Sequence, residues 1–467
     1  MGFVPQQEQV EKGQGPLDGP VQPRGQRSFV AIPGRLALRG QTVRSPTETA
    51  YCEAVRKVST RVTHSKARAL GFTSVGHFVN DGSVFFLPLV VDLLAALKGA
   101  TPLEVSVLLF LFYFSSTVAS VFVGRRADRT GAPGRLMAVG IGCLGLGLLG
   151  FYTAIAFAAG RELFAFALLC DLVMGIGSSF YHPLGGSVLQ ASFESGASGR
   201  ALGINGAMGS LGRALYPSLF FVAAAALTTP GSLGFFGLVG LGAALLIWLG
   251  LGRVEATKRK EGGPRPSVRS SLTRPMVMLL GVSFLRSTAL FGVAAYAPIF
   301  LTTQRGLGVS SILGLSLTAF YASAIVGQPL FGMLTDRVDH RWVLAISAVG
   351  ASLAIVGYVE SSGVISIALL SLFGFFAYTG FPLLMTLASD YSQQSSALGN
   401  SLVWGLGSTG GNSLGPILVY ALALNEYSHL GFAFEIMAGL AVVSALGSVL
   451  LPRPVAREKG QAQGKPV

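Results

Sequence analysis

Apolar stretches close to the length of about 20 residues that an α-helix needs to cross a bilayer recur about twelve times in this chain. They read as 71–94, 102–124, 136–158, 162–190, 200–227 and 231–252, then 275–302, 309–333, 341–360, 362–389, 397–424 and 429–451. In lipid every backbone polar group must be satisfied internally, so this pattern dictates an all-α bundle of membrane helices. Composition agrees. Only 12% of the 467 residues are charged, against about 25% in ordinary soluble domains.

The formal net charge of +13 does not signify a nucleic-acid partner, because the basic residues occupy short joints and tails and build no soluble face. Arg125, Arg126, Arg129, Arg135, Arg200, the stretch 253–274, Arg337 and Arg341 fall on alternate joints. The intervening joints hold little beyond Lys98, Arg161 and Arg305. The excess of Lys and Arg puts the first set, and with it both termini, on the cytoplasmic side of a multi-pass cell-membrane protein. The expected organisation is a basic, disordered tail at 1–68, a six-helix half at 69–252, a cytoplasmic linker at 253–274, a second half at 275–452 and a tail at 453–467. Cys52, Cys143 and Cys170 have neither metal nor redox spacing, and no motif calls for a cofactor or a metal.

The two halves repeat one another. Gly124 with Asp128-Arg129 returns as Gly332 with Asp336-Arg337, 336 − 128 = 208 residues later. Pro88 matches Pro298, Pro183 matches Pro382, and Ala201-Leu202-Gly203 matches Ala397-Leu398-Gly399. Six crossings per half make the copies parallel, an arrangement that places a substrate between them near the midplane.

These residues carry a resemblance. Twelve spans with the turn Gly124-Arg125-Arg126-Ala127-Asp128-Arg129-Thr130-Gly131 resemble the major facilitator superfamily, whose turn after helix two reads G-x-x-x-D-R/K-x-G-R. Here the last basic residue is delayed to Arg135, and the second copy lacks the later glycine. The resemblance implies gating by Gly124, Asp128, Arg129, Gly332, Asp336 and Arg337. The plainer alternative is a capped, solubilised loop. Gly76-His77-Phe78-Val79-Asn80-Asp81 and Gly177-Ser178-Ser179-Phe180-Tyr181-His182-Pro183 are similar to the H-x-x-N-D and G-S-S-x-F-H-P-E motifs of the fosmidomycin resistance branch. Leu184 replaces the acidic residue of that motif, and Gly186-Ser187 replaces a nearby Ser-Arg. Family roles resting on that acid and that arginine therefore have no bearer here.

A charge at mid-bilayer costs about 2.5–3.5 kcal/mol on insertion scales, so each needs a reason. His77 and Asp81 share a helix face, with Asn80 adjacent. Asp81, His77 and Asp171 are the candidates for proton coupling. The structural alternative pairs Asp81 with Arg213, or bonds it to His77 and Asn80. Arg213 and Arg286 come from opposite halves, and a guanidinium fork suits carboxylate or phosphate. Substrate contacts are expected from Arg213, Arg286, Asn80, His182, Tyr296 and Asn412, unless Asp81 and Asp171 neutralise the two arginines. The glycine runs of helices five and eleven read as close packing.

The expectation is a monomeric facilitator that alternates access between two halves and exports a small, drug-like compound against protons, an anion where Arg213 and Arg286 bind it. Uptake or exchange of an organic anion is the alternative. A membrane enzyme using His182 and Asp171 is remote, for want of a loop long enough to build a site.

Overall fold

The structure, a computed structural model, describes residues 46–193, 195–252, 268–335, 337–392 and 396–453; for some, including 46–65, Gly124, Asp128 and Arg129, it describes the backbone alone. Among the described residues there are helices and no strand. The first set is α1 (Pro46–Lys98), α2 (Pro102–Thr130), α3 (Pro133–Phe157), α4 (Gly160–Ser192), α5 (Ser195–Leu227) and α6 (Thr229–Leu251). The second is α7 (Arg274–Thr303), α8 (Ser311–Leu334), α9 (His340–Glu360), α10 (Gly363–Ala377), α11 (Gly380–Tyr391), α12 (Ser396–Leu402), α13 (Gly410–Leu422) and α14 (Leu430–Val449).

Helix starts follow local chemistry. The Thr228 and Thr273 hydroxyls accept from the N–H groups of Gly231 and Met276, and each helix has a proline in its first turn, where the missing N–H costs nothing. Asp339 caps α9 through the Arg341 N–H at 2.9 Å. The Arg341 guanidinium, 2.8 Å from the same carboxylate, holds Asp339 below its usual range.

Eleven runs among the described residues are long and apolar enough to cross a membrane, against about twelve expected. The remaining crossing, 397–424 in sequence terms, is present but interrupted: α12 passes through a π-helical segment, Val403–Thr409, into α13. Three glycines, at 405, 407 and 410, lie in or next to this widened turn. They weaken the regular helix by their backbone freedom, and such π turns recur at functional sites. The last crossing but two is likewise divided, at Tyr378-Thr379 between α10 and α11.

Packing makes an aromatic core in each set. Phe86, Tyr216, Phe220 and Phe236 interlock in the first, and Phe300, Tyr358 and Phe434 in the second. Such pairs add about 0.5–1.5 kcal/mol each beyond buried area. Leu146, Leu238, Leu249 and Leu353 face outward, as lipid contact allows. Hydrogen bonds joining the two sets gather toward the end where α1 finishes and α2 begins. Thr302 donates to Asp92 at 2.8 Å, Tyr427 to the Ala100 carbonyl at 3.0 Å, and Tyr321 to the Phe85 carbonyl at 3.1 Å. Ser218 meets Thr318 at 2.7 Å. That end of the bundle is bridged.

Candidate functional site

A cavity of about 460 Å³ lies where α1, α4 and α5 face α7, α8 and the broken crossing at Trp404. On its first wall, one turn of α1 carries His77 and Asp81, and α4 and α5 add His182 and Arg213. Asp81 is 4% exposed. Its carboxylate lies 3.4 Å from His77 Nε2, 3.4 Å from His182 Nε2 and 3.7 Å from Arg213 Nε. Asn80 Nδ2 donates to the same carboxylate at 3.1 Å. Four side chains from three helices thus converge on one buried acid, which is what offsets the cost of burying it.

The remaining contacts orient these groups. His77 Nδ1 lies 2.7 Å from the Asn205 backbone oxygen. A carbonyl only accepts, so Nδ1 bears hydrogen and Nε2 is the atom turned to Asp81. Tyr181 donates to the Thr73 carbonyl at 2.7 Å and also bonds Asn205. Gly209 makes room for the imidazole, since a Cβ there would fall 2.4 Å from His77 Nε2. Arg213 bonds Ser210 Oγ at 2.8 Å, and its guanidinium lies 4.9 Å from the Phe85 ring and 5.4 Å from the Tyr378 ring. Such contacts favour a cation by about 0.5–2 kcal/mol.

The opposite wall holds Arg286 of α7, 3% exposed. Its Nη2 donates to the Phe376 and Ala377 carbonyls at 3.2 and 3.1 Å, whereas Nη1 is buried and unpartnered. Asp171 does not neutralise it. That residue is fully buried in α4, neither carboxylate oxygen has a hydrogen-bond partner, and it lies outside the lining of the cavity.

Other sequence candidates divide. Asn412 lines this cavity and an adjoining one of about 250 Å³, where Asn80 also lies among hydroxyls of Tyr113, Ser116, Ser120 and Ser178. Tyr296 is away from both; it bonds Ser106 and the Pro102 carbonyl at the bridged end. Of the turn residues, the side chains of Asp128 and Arg129, the surroundings of Gly124 and the whole of Asp336 lie outside what is described. Gly332 and Arg337 are exposed. Sequence reasoning missed Phe85, Tyr378 and Trp404, the last packed edge-on to His182 at 5.4 Å. Their only sequence signal is aromatic character, which many core residues share. The carbonyl of Asn205 has no sequence signal.

The Major Facilitator Superfamily model matches residues 73–316 and 309–466. The chain is similar to the fosmidomycin resistance protein of Escherichia coli (strain K12), 24% identical over 397 residues that cover 82% of this chain and 92% of that protein. Among solved structures it resembles a bacterial homolog of the human lysosomal transporter Spinster in an inward-facing, occupied conformation. The TM-score is 0.66 at 15% identity, covering 83% of this chain and 96% of that one. A D-xylose-proton symporter gives a TM-score of 0.66 at 15% identity, over 83% and 98% of the two chains.

Proposed function

The chain belongs to the Major Facilitator Superfamily, and from that premise we propose that this multi-pass transporter exports a small anionic compound in exchange for protons. It is a transporter and not an enzyme. The observation that carries the reading is the pair of guanidiniums, Arg213 and Arg286, lining one cavity from opposite sets of helices, with Arg286 Nη1 left unpartnered. An anion is the partner that such a donor lacks, and a charge-assisted bond there is worth about 1.5–3 kcal/mol. The proton site is Asp81, with His77 and His182 as relays; Asp171 is a reserve acid behind the wall.

In this reading 69–252 and 275–452 are the rocking halves. The bridges at Asp92, Ala100 and Ser106 close the outer end, both termini are cytoplasmic, and one chain works alone in the cell membrane. The turns at Gly124, Asp128 and Arg129 and at Gly332, Asp336 and Arg337 steady the cytoplasmic face in the opposite state. The name of the Escherichia coli relative supports export and makes fosmidomycin the first compound to try.

One observation favours a second reading, proton-linked uptake of the anion. Arg213 lies 3.7 Å from Asp81, so protonating Asp81 frees Arg213 and loads proton and anion together. Counterflow in proteoliposomes with fosmidomycin, other phosphonates and carboxylates tests transport. Imposing a pH gradient in each direction then separates the readings: acceleration by protons on the opposite side means exchange, and on the same side means co-transport. If Arg213→Ala and Arg286→Ala both leave substrate affinity unchanged, the anion site is wrong.

A further inference from the structure

The imidazole contacts to Asp81 are longer than close charge-assisted hydrogen bonds. A charge-assisted N–H···O bond spans about 2.7–2.9 Å, yet both imidazoles stop at 3.4 Å from the carboxylate. Neighbouring ligand atoms around a tetrahedral ion bound at about 2.0–2.1 Å stand roughly 3.3–3.4 Å apart. The two 3.4 Å contacts run to different Asp81 oxygens, and one ligand atom from each of His77, Asp81 and His182 lies within 4.8 Å of the others, so a small side-chain rotation would bring three donors onto one ion. We propose that His77, Asp81 and His182 form a binding site for a borderline divalent transition ion of the zinc, cobalt or nickel class, opening onto the cavity.

The surroundings are those that metal ligands require. A metal-bound histidine typically donates its other ring N–H to a carbonyl or carboxylate, which fixes tautomer and ring plane. His77 does so through Nδ1 to the Asn205 backbone oxygen at 2.7 Å, leaving Nε2 turned to the Asp81 carboxylate. When Nε2 carries no proton, two acceptors face each other, and a metal ion between them relieves their repulsion. Asn80 Nδ2, 3.1 Å from the carboxylate, steadies it from behind. Gly209, where a Cβ would fall 2.4 Å from Nε2, lets the ring seat in this position. His182, whose side chain is 35% exposed, faces the cavity, so water or an anionic substrate can complete the coordination shell. Two nitrogens and one oxygen select against Mg²⁺ and Ca²⁺, which prefer all-oxygen shells.

Arg213 opposes the ion, its Nε being 3.7 Å from the same carboxylate. Phe85 and Tyr378 offer its guanidinium another seat. The site therefore binds more tightly when Arg213 is removed, a response that a merely structural His–Asp cluster does not give.

The test is Co²⁺ titration of the full-length protein in nanodiscs, followed by its visible absorption, with Zn²⁺ as competitor and Mg²⁺ as control. One saturable Co²⁺ site per chain, displaced by Zn²⁺ and not by Mg²⁺, is expected. His182→Ala and His77→Ala should each weaken it by more than the roughly 10–100-fold that outer-shell changes bring, and Arg213→Ala should tighten it. Absence of a saturable site in the unaltered protein overturns the proposal, as do affinities that ignore both histidine substitutions. Metal binding is read here without transport, so its failure leaves the reading of the cavity as an anion-export site standing, and the converse also holds.

Discussion

The two walls of the cavity sit on equivalent scaffolds and hold opposite chemistry. Pro88 and Pro298 are 298 − 88 = 210 residues apart, as are Gly76 and Arg286; Pro183 and Pro382 are 382 − 183 = 199 apart, as are Tyr181 and Gly380. In the first half a Cβ on Gly76 would meet the Tyr181 ring at 2.9 Å, and in the second a Cβ on Gly380 would meet Arg286 Nε at 2.5 Å. The same helix-to-helix contact is thus filled from opposite directions: by an aromatic of α4 against a glycine of α1, and by an arginine of α7 against a glycine at the start of α11. The first wall carries the titratable groups Asp81, His77 and His182 together with Arg213, and the second carries Arg286.

The most damaging change to this division should be Asp81→Asn. It removes the acid that four side chains share, and coupled proton movement should fall by about 100-fold or more, in line with loss of a positioned proton-transfer group. Arg286→Ala comes next. Losing a charged donor worth about 1.5–3 kcal/mol should weaken substrate binding roughly 10–100-fold in equilibrium binding assays, with proton binding untouched. Gly380→Ala sharpens the comparison further. Its methyl group displaces the Arg286 fork, so substrate affinity should drop, and overpacking should lower stability by about 1–3 kcal/mol.

Smaller effects probe the frame. Thr302→Val strips Asp92 of its hydrogen bond, about 1 kcal/mol, and should raise labelling of a cysteine reporter near Ala100 by exposing the bridged end. Asp339→Ala should cost about 1 kcal/mol of stability, as lost caps do. Arg341 depresses the Asp339 carboxyl, so this contribution is present above the ordinary carboxylate range and is lost as pH falls through the lower folded value. Melting curves of the two proteins should therefore converge in acid.

The fold was largely legible because lipid leaves a chain few choices. Apolar runs set the crossings, and helical spacing put His77 and Asp81 on one face. The broken crossing was not legible, since glycines at 405, 407 and 410 permit a π turn without requiring one. Within the site, Arg213 and Arg286 were identifiable as membrane charges, but that Arg213 leans on Asp81 while Arg286 keeps a free Nη1 depends on tertiary packing. Asp171 was identifiable, like Asp81, as an acid within a crossing, yet it lies outside the cavity lining, because residue type does not reveal which helix face turns inward. Asp92 escaped notice, although the 210-residue offset of the prolines pairs it with Thr302, the residue that donates to it.

The most direct test follows substrate-driven proton movement in proteoliposomes, using a compound that gives counterflow with the unaltered chain, and compares that chain with Asp81→Asn. Proton movement lost while binding to the Arg213–Arg286 cavity persists is the expected result. Full proton movement in the Asp81→Asn protein would contradict the division of labour between the two walls.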